Sequence, residues 1–380
     1  MKLLFVCPNL GVAGAERQWS ILIPRLVDRG FKVRVLTLDE EGRFFHQLRD
    51  LGIDTRCARM RSRFDLLGLR RALTMSSFPD VVITRSVSSQ VVGHVIARRA
   101  GAAHVFTEHL PVDATGRMRP FRRGQRLLVQ LVAPHVDFVV AVSASQIQGA
   151  IELGYRRERL RVIPNAVPAD AVKVTKSRSD ARTELGLRDD DFVVLFVANL
   201  RTEKRASLFV SGVVEAHSIN SRIRGIVAGS GPELNAVRQQ AEPTSGIVAV
   251  LGDRADVADL LNAADVLCVC SIREGMPMNV LEAMILGRPV VATKVGGVSD
   301  LVVPGQTGFF FNPDANGALA NLLARLADDE PLTKGMGRAA AVRTRQLFSV
   351  ERMVDGYADV LIAARELKRA RRPRILSMTS

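Results

Sequence analysis

The stretch DVLCVCSIREGMPMNVLEAMILGRPVVAT (residues 265–293) decides the fold class. It begins with a short apolar run, passes through a loop that contains glycine and proline, continues with helix-favouring residues, and ends in a second apolar run. Short buried runs on either side of a helix are typical of a βαβ unit with parallel strands. The stretch therefore predicts an α/β protein.

The same alternation continues in both directions along the 380 residues, a length that usually accommodates two domains. The first half opens with a strand at 3–7, a glycine-bearing loop at 11–14, a helix and a strand at 31–38. After a polar stretch, the run DFVVLFVA (residues 191–198) restarts the pattern. We therefore predict two doubly wound domains. Their bounds are an N-terminal domain at 1–170, a linker at 171–191, a C-terminal domain at 192–350, and a final helix with a basic tail at 351–380.

Bulk composition is that of a globular enzyme, with 47% hydrophobic and 24% charged residues. The opening apolar run ends at Pro8, and a run of this length is too short for the core of a signal peptide. No apolar run in the chain is long enough to span a bilayer. We therefore expect a cytoplasmic protein. The formal charge of +14 is concentrated in two basic segments, Arg117–Arg126 and Lys368–Arg374. Nucleic-acid binding is not expected, because aromatic residues make up only 5% of the chain.

Two carboxylates stand eight residues apart in the deciding stretch. Glu274 follows a strand, and Glu282 lies in the next helix. Ligands of open α/β sheets bind beyond the carboxyl ends of the strands, so both carboxylates are candidates for a ligand site. Backbone N–H groups around Gly275, Met276 and Met278 could face an anion at the start of that helix. Solvated carboxylates of a loop and a helix are the alternative.

The motif EGMPMNVLEAM (residues 274–284), followed by GRPVVAT and VGGVSDLV, resembles the EX7E region of retaining glycosyltransferases of family 4. The likeness extends over nearly the whole chain, from GVAGAER (residues 11–17) through VIPNAV and GSGPE to the segment around Phe348. The resemblance implies the GT-B fold, in which two Rossmann-like doubly wound domains face each other across a cleft. It also implies that the C-terminal helix crosses back to the N-terminal domain.

The same resemblance assigns roles to individual residues. Glu282 is expected to accept hydrogen bonds from the donor ribose, since a carboxylate can accept from both hydroxyls of a vicinal diol. Glu274 is expected to contact the transferred sugar. His109, at the end of a strand-like run, is expected to contact that sugar near the reaction centre. A structural histidine is the alternative for His109.

Sugar transfer releases a nucleotide diphosphate, so positive charge is needed where the leaving oxygen becomes negative. Lys204, in VANLRTEKR (residues 197–205), is our candidate for this role. The family usually has an arginine about five residues before this lysine. Here that position is Asn199, while Arg201 lies nearby. Arg201 is a candidate substitute for the missing arginine, and a surface lysine is the alternative for Lys204.

Three glycine-bearing loops follow predicted strands. Gly14, in the first loop, could bring its backbone close to a phosphate. A plain tight turn is the alternative there, because the paired glycines common in the family are Ala13 and Gly14 in this chain. Gly229 and Gly252 follow successive strands of the second domain. In the family the second of these loops borders the base, so Arg254 could stack on it. An exposed loop arginine is the alternative.

No metal and no cofactor are expected, since the nucleotide-sugar is a substrate. The DxD spacing at Asp189–Asp191 lies in the predicted linker, where we expect solvated carboxylates. The basic segment GRMRPFRRGQRLLVQLV (residues 116–132) places arginines ahead of an apolar stretch. Such a segment suits either a surface helix that rests on anionic lipid or a solvated helix that packs on its own domain.

The resemblance to this family implies a metal-independent glycosyltransferase. It would move a sugar from a nucleotide-sugar donor, with UDP favoured and GDP open, to a saccharide or lipid-linked acceptor with retention of configuration. Peripheral contact with the inner face of the cytoplasmic membrane would serve a lipid-linked acceptor. The alternatives are a nucleotide-sugar epimerase of the same fold and an inactive scaffold that binds membrane surfaces.

Overall fold

The structure, a computed structural model, describes residues 1–11, 14–62, 65–76, 78–108 and 123–371. The described chain forms two compact units. One unit contains the described residues up to Asn165 together with those from Val350 onward, and the other contains Ala166–Ser349. Each unit is built on one parallel β-sheet, as expected for paired Rossmann-like domains.

The first unit contains a seven-stranded parallel sheet, called sheet 1, with strand order β3-β2-β1-β4-β5-β6-β7. Its strands are short runs whose side chains are largely buried on both faces, because helices cover both sides of a parallel sheet. The elements before Asn165 are β1 (Lys2–Cys7), α1 (Gly14–Asp28), β2 (Lys32–Thr37), α2 (Arg43–Asp50), β3 (Asp54–Cys57), α3 (Leu66–Met75), β4 (Val81–Arg85), α4 (Val87–Ala100), β5 (Ala103–Glu108), α5 (Arg123–Val132), β6 (Phe138–Ala141), α6 (Ile147–Glu152) and β7 (Leu160–Val162).

The second unit contains a six-stranded parallel sheet, called sheet 2, with strand order β10-β9-β8-β11-β12-β13. The order reverses at β8 and β11, which is the switch point where open α/β sheets bind ligands. The elements of this unit are α7 (Arg178–Glu184), β8 (Phe192–Val197), α8 (Ala206–Ile219), β9 (Ile223–Ala228), α9 (Leu234–Ala241), β10 (Val248–Gly252), α10 (Val257–Ala263), β11 (Val266–Val269), α11 (Met278–Ile285), β12 (Val290–Thr293), α12 (Val298–Leu301), β13 (Gly308–Phe311), α13 (Ala318–Asp328) and α14 (Glu330–Leu347).

The last helix, α15 (Val350–Ala370), belongs to the first unit, which confirms the predicted return of the chain. It packs against α1 and against β5. Tyr357 and Leu361 on its inner face are fully buried, and Gln18 of α1 donates to the sulfur of Met353. Among the helices of the described ranges, none has the length and apolarity needed to cross a membrane.

The segment predicted as a polar, solvated linker (171–191) differs in the structure. It contains α7, and the side chain of Arg182 is buried against the second unit, where its Nε donates to the carbonyl of Ala263 at 3.0 Å. Asp191 is also buried, accepts from the backbone N–H of Arg188 at 2.8 Å, and lies 3.6 Å from the Nε of Arg224. Residues of this segment are therefore part of the second unit, because arginine side chains tie them to its core.

Candidate active site

The loops that follow β8, β9, β10 and β11 carry most of the predicted site residues of the second unit. All four strands run parallel, so these loops emerge at one edge of sheet 2, called here the carboxyl edge. Ligands bind at this edge in open α/β sheets. The sequence-based placement of these candidates beyond strand ends therefore agrees with the topology.

Lys204 and Glu274 meet at the carboxyl edge, although 70 residues separate them along the chain. The Nζ of Lys204 donates to Oε1 of Glu274 at 2.6 Å. Lys204 ends a short 3₁₀ turn (Thr202–Lys204) after β8, and the next residue adopts a left-handed conformation with φ of 53°. The backbone N–H of Ile272 donates to the carbonyl of Glu203 at 2.8 Å, which ties the two loops together.

Glu274 is buried and receives a second hydrogen bond on the same oxygen. The hydroxyl of Ser271 donates to Oε1 at 2.6 Å. Thr293, at the end of β12, in turn donates to the carbonyl of Ser271 at 2.6 Å. A buried carboxylate is costly unless it is paired and hydrogen-bonded, so Lys204 and Ser271 offset its desolvation. Ser271 was not predicted from the sequence, because a serine after a strand has no distinctive spacing.

The loop that carries Glu274 is packed closely against a glycine pair. The N–H of Gly297 donates to the carbonyl of Gly275, and Gly296 has a φ of +47°. A Cβ atom on Gly296 would lie 1.8 Å from the carbonyl oxygen of Glu274. Only glycine fits there, so the VGGVSD segment sets the path of the Glu274 loop.

The helix α11 begins at Met278 and carries Glu282 one turn from its start, where the side chain is buried. The side chains of Met276 and Met278 are also buried, so only their backbone N–H groups could face an anion. The Nδ2 of Asn279 donates to the carbonyl of Val197 at 2.8 Å, which fixes the start of α11 beside the end of β8. Asn279 is a second positioning residue that the sequence did not reveal.

The remaining candidates of the second unit lie in the loops after β8 and β9 and at or just after the end of β10. Asn199 and Arg201 share a tight turn, in which the N–H of Arg201 donates to the carbonyl of Asn199 at 2.8 Å, and Arg201 is exposed. Gly229 has a φ of +141°, and its N–H donates to the carbonyl of Gly252 at 2.7 Å. A Cβ on Gly229 would lie 1.8 Å from the carbonyl oxygen of Ala198. Gly229 is therefore needed for the close packing of these neighbouring loops.

Arg254 forms a two-point ion pair with Asp256. Its Nε donates to Oδ1 at 2.7 Å, and Nη2 pairs with Oδ2. The hydrogen bond from Arg254 holds the pKa of the Asp256 carboxyl below its usual value. The pair fixes the guanidinium plane while leaving it partly exposed, and this geometry is compatible with stacking on a base.

The first unit contributes the predicted residues Gly14 and His109. Gly14 is exposed and begins α1. His109 lies outside the described residues. Near Gly14, the structure shows an ion pair that the sequence did not reveal. The buried Arg85, at the end of β4, donates through Nη2 to Glu16 at 2.8 Å. The same nitrogen donates to the carbonyl of Asn9 at 2.7 Å. A charged residue at a strand end was the available signal for Arg85.

Comparisons with known proteins agree with this architecture. The family description "Glycosyltransferase Family 4" matches residues 12–171, and "Glycosyl transferases group 1" matches residues 177–343. The chain is 26% identical over 240 residues to the N-acetyl-alpha-D-glucosaminyl L-malate synthase of Bacillus anthracis, and the alignment covers 61% of each protein. The Escherichia coli UDP-Gal:alpha-D-GlcNAc-diphosphoundecaprenol alpha-1,3-galactosyltransferase is 24% identical over 306 residues, or 78% of each protein.

Among solved structures, the chain is similar to HepE of Anabaena in complex with UDP and glucose. The TM-score is 0.83 at 23% sequence identity, and the superposition covers 96% of this chain and 100% of that chain. This likeness covers both sheets and identifies the fold as GT-B. Together the two family matches cover most of the chain, one in each half. The chain therefore belongs to the GT-B glycosyltransferases, with a family 4 domain followed by a group 1 domain.

Proposed function

We propose that this protein transfers a sugar from a UDP-sugar to a saccharide or lipid-linked acceptor, with retention of anomeric configuration. The observation that carries the proposal is the ion pair of Lys204 and Glu274 at the carboxyl edge of sheet 2. In this proposal, Lys204 is the cation for the leaving diphosphate, and Glu274 beside it is the carboxylate for the sugar hydroxyls. Glu282, one turn into the adjacent helix α11, supplies the carboxylate for the ribose.

UDP is the proposed nucleotide because two similar proteins point to it. The HepE structure contains UDP and glucose, and the name of the Escherichia coli relative specifies a UDP-galactose donor. That relative's name also specifies a diphosphoundecaprenol-linked acceptor, which supports a lipid-linked acceptor here. The sugar itself is left open in this proposal.

In the proposed reaction, the bond between the sugar's anomeric carbon and the diphosphate oxygen breaks as the acceptor oxygen bonds to that carbon from the same face. The acceptor's proton leaves with the departing diphosphate, so no enzyme nucleophile is required. Lys204 stabilises the negative charge on the leaving oxygen, with help from the exposed Arg201. This role of the two cations makes the proposed reaction independent of a metal ion.

The contacts of Glu274 are consistent with its proposed role. Its Oε1 already accepts from Lys204 and Ser271, so a sugar hydroxyl would approach Oε2. The ammonium group of Lys204 has three donors, and one of them is used by Glu274. The others can contact a phosphate without breaking the ion pair. His109 keeps its predicted role near the reaction centre.

The donor assignment is tested by thermal unfolding with UDP-sugars, GDP-sugars and free nucleotides in the presence of a chelator. A ligand that binds the folded state alone raises its stability, so UDP compounds should raise the unfolding temperature. Glu282→Ala should abolish this shift. Lys204→Ala should keep nucleotide binding but lower turnover on the order of 100-fold. Lys173→Ala, an exposed lysine of the same unit, is the control and should behave as wild type.

Product analysis separates the alternatives. Retention predicts a product whose anomeric proton has the donor's configuration by NMR. Interconversion of UDP-sugars without an acceptor would identify an epimerase instead. If folded protein binds no nucleotide and yet binds lipid vesicles, the inactive scaffold is correct and the proposed transferase activity is refuted.

Helix α5 supports the proposed peripheral contact with the inner face of the cytoplasmic membrane. Leu127, Leu128 and Leu131 are exposed by 58%, 41% and 61%, while Val129 and Val132 on the other face are buried. Arg126 adds positive charge beside the exposed leucines. An apolar face flanked by cations is the arrangement that binds anionic bilayers.

Vesicle flotation tests this contact. Leu128→Ser with Leu131→Ser should reduce binding to phosphatidylglycerol vesicles at least about tenfold, because two apolar side chains no longer enter the bilayer. Ile219→Ser removes a similarly exposed apolar side chain from the second unit and should leave binding unchanged. Equal binding by both variants would show that α5 does not contact the membrane.

A further inference from the structure

A polar cavity lies in the first unit, at the opposite end of sheet 1 from Gly14 and Arg85. Its volume is about 470 Å³, and six basic side chains line it: His94, Arg98, His135, Arg156, Lys368 and Arg371. Asp137 is the one carboxylate among its lining residues in the described chain. Asp137 directly precedes β6, so the cavity lies at the amino ends of the strands. Along the six residues of β5, the two ends of the sheet are separated by roughly 15–20 Å.

The carboxylate of Asp137 is already used by the fold. It is buried, its Oδ2 accepts from the backbone N–H of His104 at 3.0 Å, and its Oδ1 accepts from Arg371 at 3.2 Å. Arg98, Arg156 and Lys368 form no ion pair with any carboxylate of the described residues. Within the described chain, these three cations share one cavity with a single carboxylate, Asp137, which is already paired with Arg371. A multivalent anion would stabilise this arrangement.

The histidines of the cavity add hydrogen-bond donors to this charge. The ring of His94 lies 5.6 Å from that of His135 and 5.8 Å from that of His104. Within the described chain, the buried Nδ1 of His94 has no hydrogen-bond partner. Burial lowers the pKa of His94, and the neighbouring cations lower it further. A bound anion would offset the charge of the neighbouring cations, raise the pKa of His94 and allow this residue to take up a proton.

We propose that this cavity binds a diphosphate or phosphomonoester group, at a site separate from sugar transfer. Arg98 and Lys368 come from the ends of α4 and α15, Arg156 comes from the loop before β7, and His94 supplies a ring N–H. Arginine and lysine side chains that converge without carboxylates match the several oxygens of a phosphate group. The source of this group is either a soluble diphosphate or a phospholipid headgroup.

A simpler explanation covers part of this charge. Arg98 lies in the last turn of α4 and Lys368 in the last turn of α15, where cations stabilise the helix dipole. That explanation requires no ligand. It does not account for Arg156 or for the unpartnered Nδ1 of His94, and it predicts that the cavity has no specific affinity for phosphate groups.

The experiment compares two double variants with equal charge loss from the same two helices. Arg98→Ala with Lys368→Ala removes two lining cations, whereas Arg99→Ala with Arg369→Ala removes exposed neighbours outside the cavity. Binding of inorganic pyrophosphate is measured by calorimetry in the Lys204→Ala background, which disables the proposed leaving-group contact. Far-ultraviolet circular dichroism and unfolding temperatures verify that both double variants are folded.

The variant Arg98→Ala with Lys368→Ala should bind pyrophosphate at least about tenfold more weakly than its parent. The control, Arg99→Ala with Arg369→Ala, should bind it with an affinity within about twofold of the parent's. NMR titration of His94 should show its pKa rising when pyrophosphate is added. Equal affinities of the two double variants, or a Lys204→Ala parent that binds no pyrophosphate, would overturn the proposal. Flotation with phosphatidic acid vesicles, whose headgroup is a phosphomonoester, then distinguishes the sources: release by pyrophosphate identifies a headgroup site, and unchanged flotation identifies a soluble ligand.

Discussion

Glu274 shows how a single residue can be both a structural group and a candidate for chemistry. Its Oε1 accepts from Lys204 and Ser271, and its backbone carbonyl is in close contact with Gly296. Fixing the carboxylate before a ligand arrives reduces the entropy that must be lost when the sugar binds. The surrounding residues therefore matter for the position of Glu274 even where they contact no ligand.

Gly296→Ala is expected to displace the Glu274 loop. An added Cβ would meet a backbone oxygen at 1.8 Å, and the φ of +47° already costs a non-glycine residue about 1 kcal/mol. Gly305→Ala is the matched control, because its φ is +78° but nothing lies within 4 Å of the added atom. We expect urea unfolding to show a free-energy loss at least about 2 kcal/mol larger for Gly296→Ala. Equal losses would show that the contact with Glu274 relaxes without cost.

At the scale of elements, α7 is attached to the second unit by one carboxylate. Asp265 accepts from Arg178 and from Arg182, which is buried, and also from the backbone N–H of Val193 at 2.8 Å. Arg288 lies nearby, and burial lowers its pKa to about 10. A single anion thus offsets several partly buried guanidinium groups, and this explains why a polar stretch of sequence is part of a packed unit.

Asp265→Asn should detach α7 from the unit. The substitution keeps the shape of the side chain but leaves the buried Arg182 without its counter-charge, which costs about 3–5 kcal/mol. Unfolding by guanidinium chloride, followed by circular dichroism, measures the loss. Asp189→Asn, an exposed carboxylate after α7, should change stability by less than about 0.5 kcal/mol. A similarly small effect of Asp265→Asn would mean that α7 is held by its other contacts, among them the hydrogen bonds of Arg178 and Arg182 to backbone carbonyls.

At the scale of the whole molecule, buried histidines should make stability depend on pH. His104 is fully buried beside the hydroxyl of Thr84, and burial lowers its pKa from 6.5 to about 3. Between these two values only the unfolded chain binds a proton at this residue. The free energy of unfolding must therefore fall as pH decreases through this window, by up to about 1.4 kcal/mol per pH unit.

His104→Gln should reduce this pH dependence, because glutamine does not titrate. Unfolding midpoints at pH 7.5, 6.5 and 5.5 in phosphate-free buffer give the slope, and the slope is informative even where the variant is less stable overall. Gln47→Asn, at an exposed residue of the same unit that does not titrate, is the control and should leave the slope unchanged. Identical slopes in all three proteins would assign the acid sensitivity to other groups.

The sequence by itself determined the fold class and the edge at which the candidate residues lie. Apolar runs of strand length, separated by helical stretches, suffice for this, because parallel strands must be buried on both faces and their loops must emerge at a common edge. Glu274 and Glu282 were found in the same way, since their spacing is local to one loop and one helix. His109 keeps its predicted role without a structural description, because it lies outside the described residues.

Only the tertiary structure decided which side chains meet. The pairing of Lys204 with Glu274 joins residues 70 positions apart. Asp265 accepts hydrogen bonds from Arg178 and Arg182, which precede it by more than 80 residues. The basic cavity likewise combines α4 with α15, whose lining residues Arg98 and Lys368 are 270 positions apart (368 − 98) along the chain. Local periodicity reports which face of an element is buried, whereas the partner across a packed interface depends on how the whole sheet and its helices assemble.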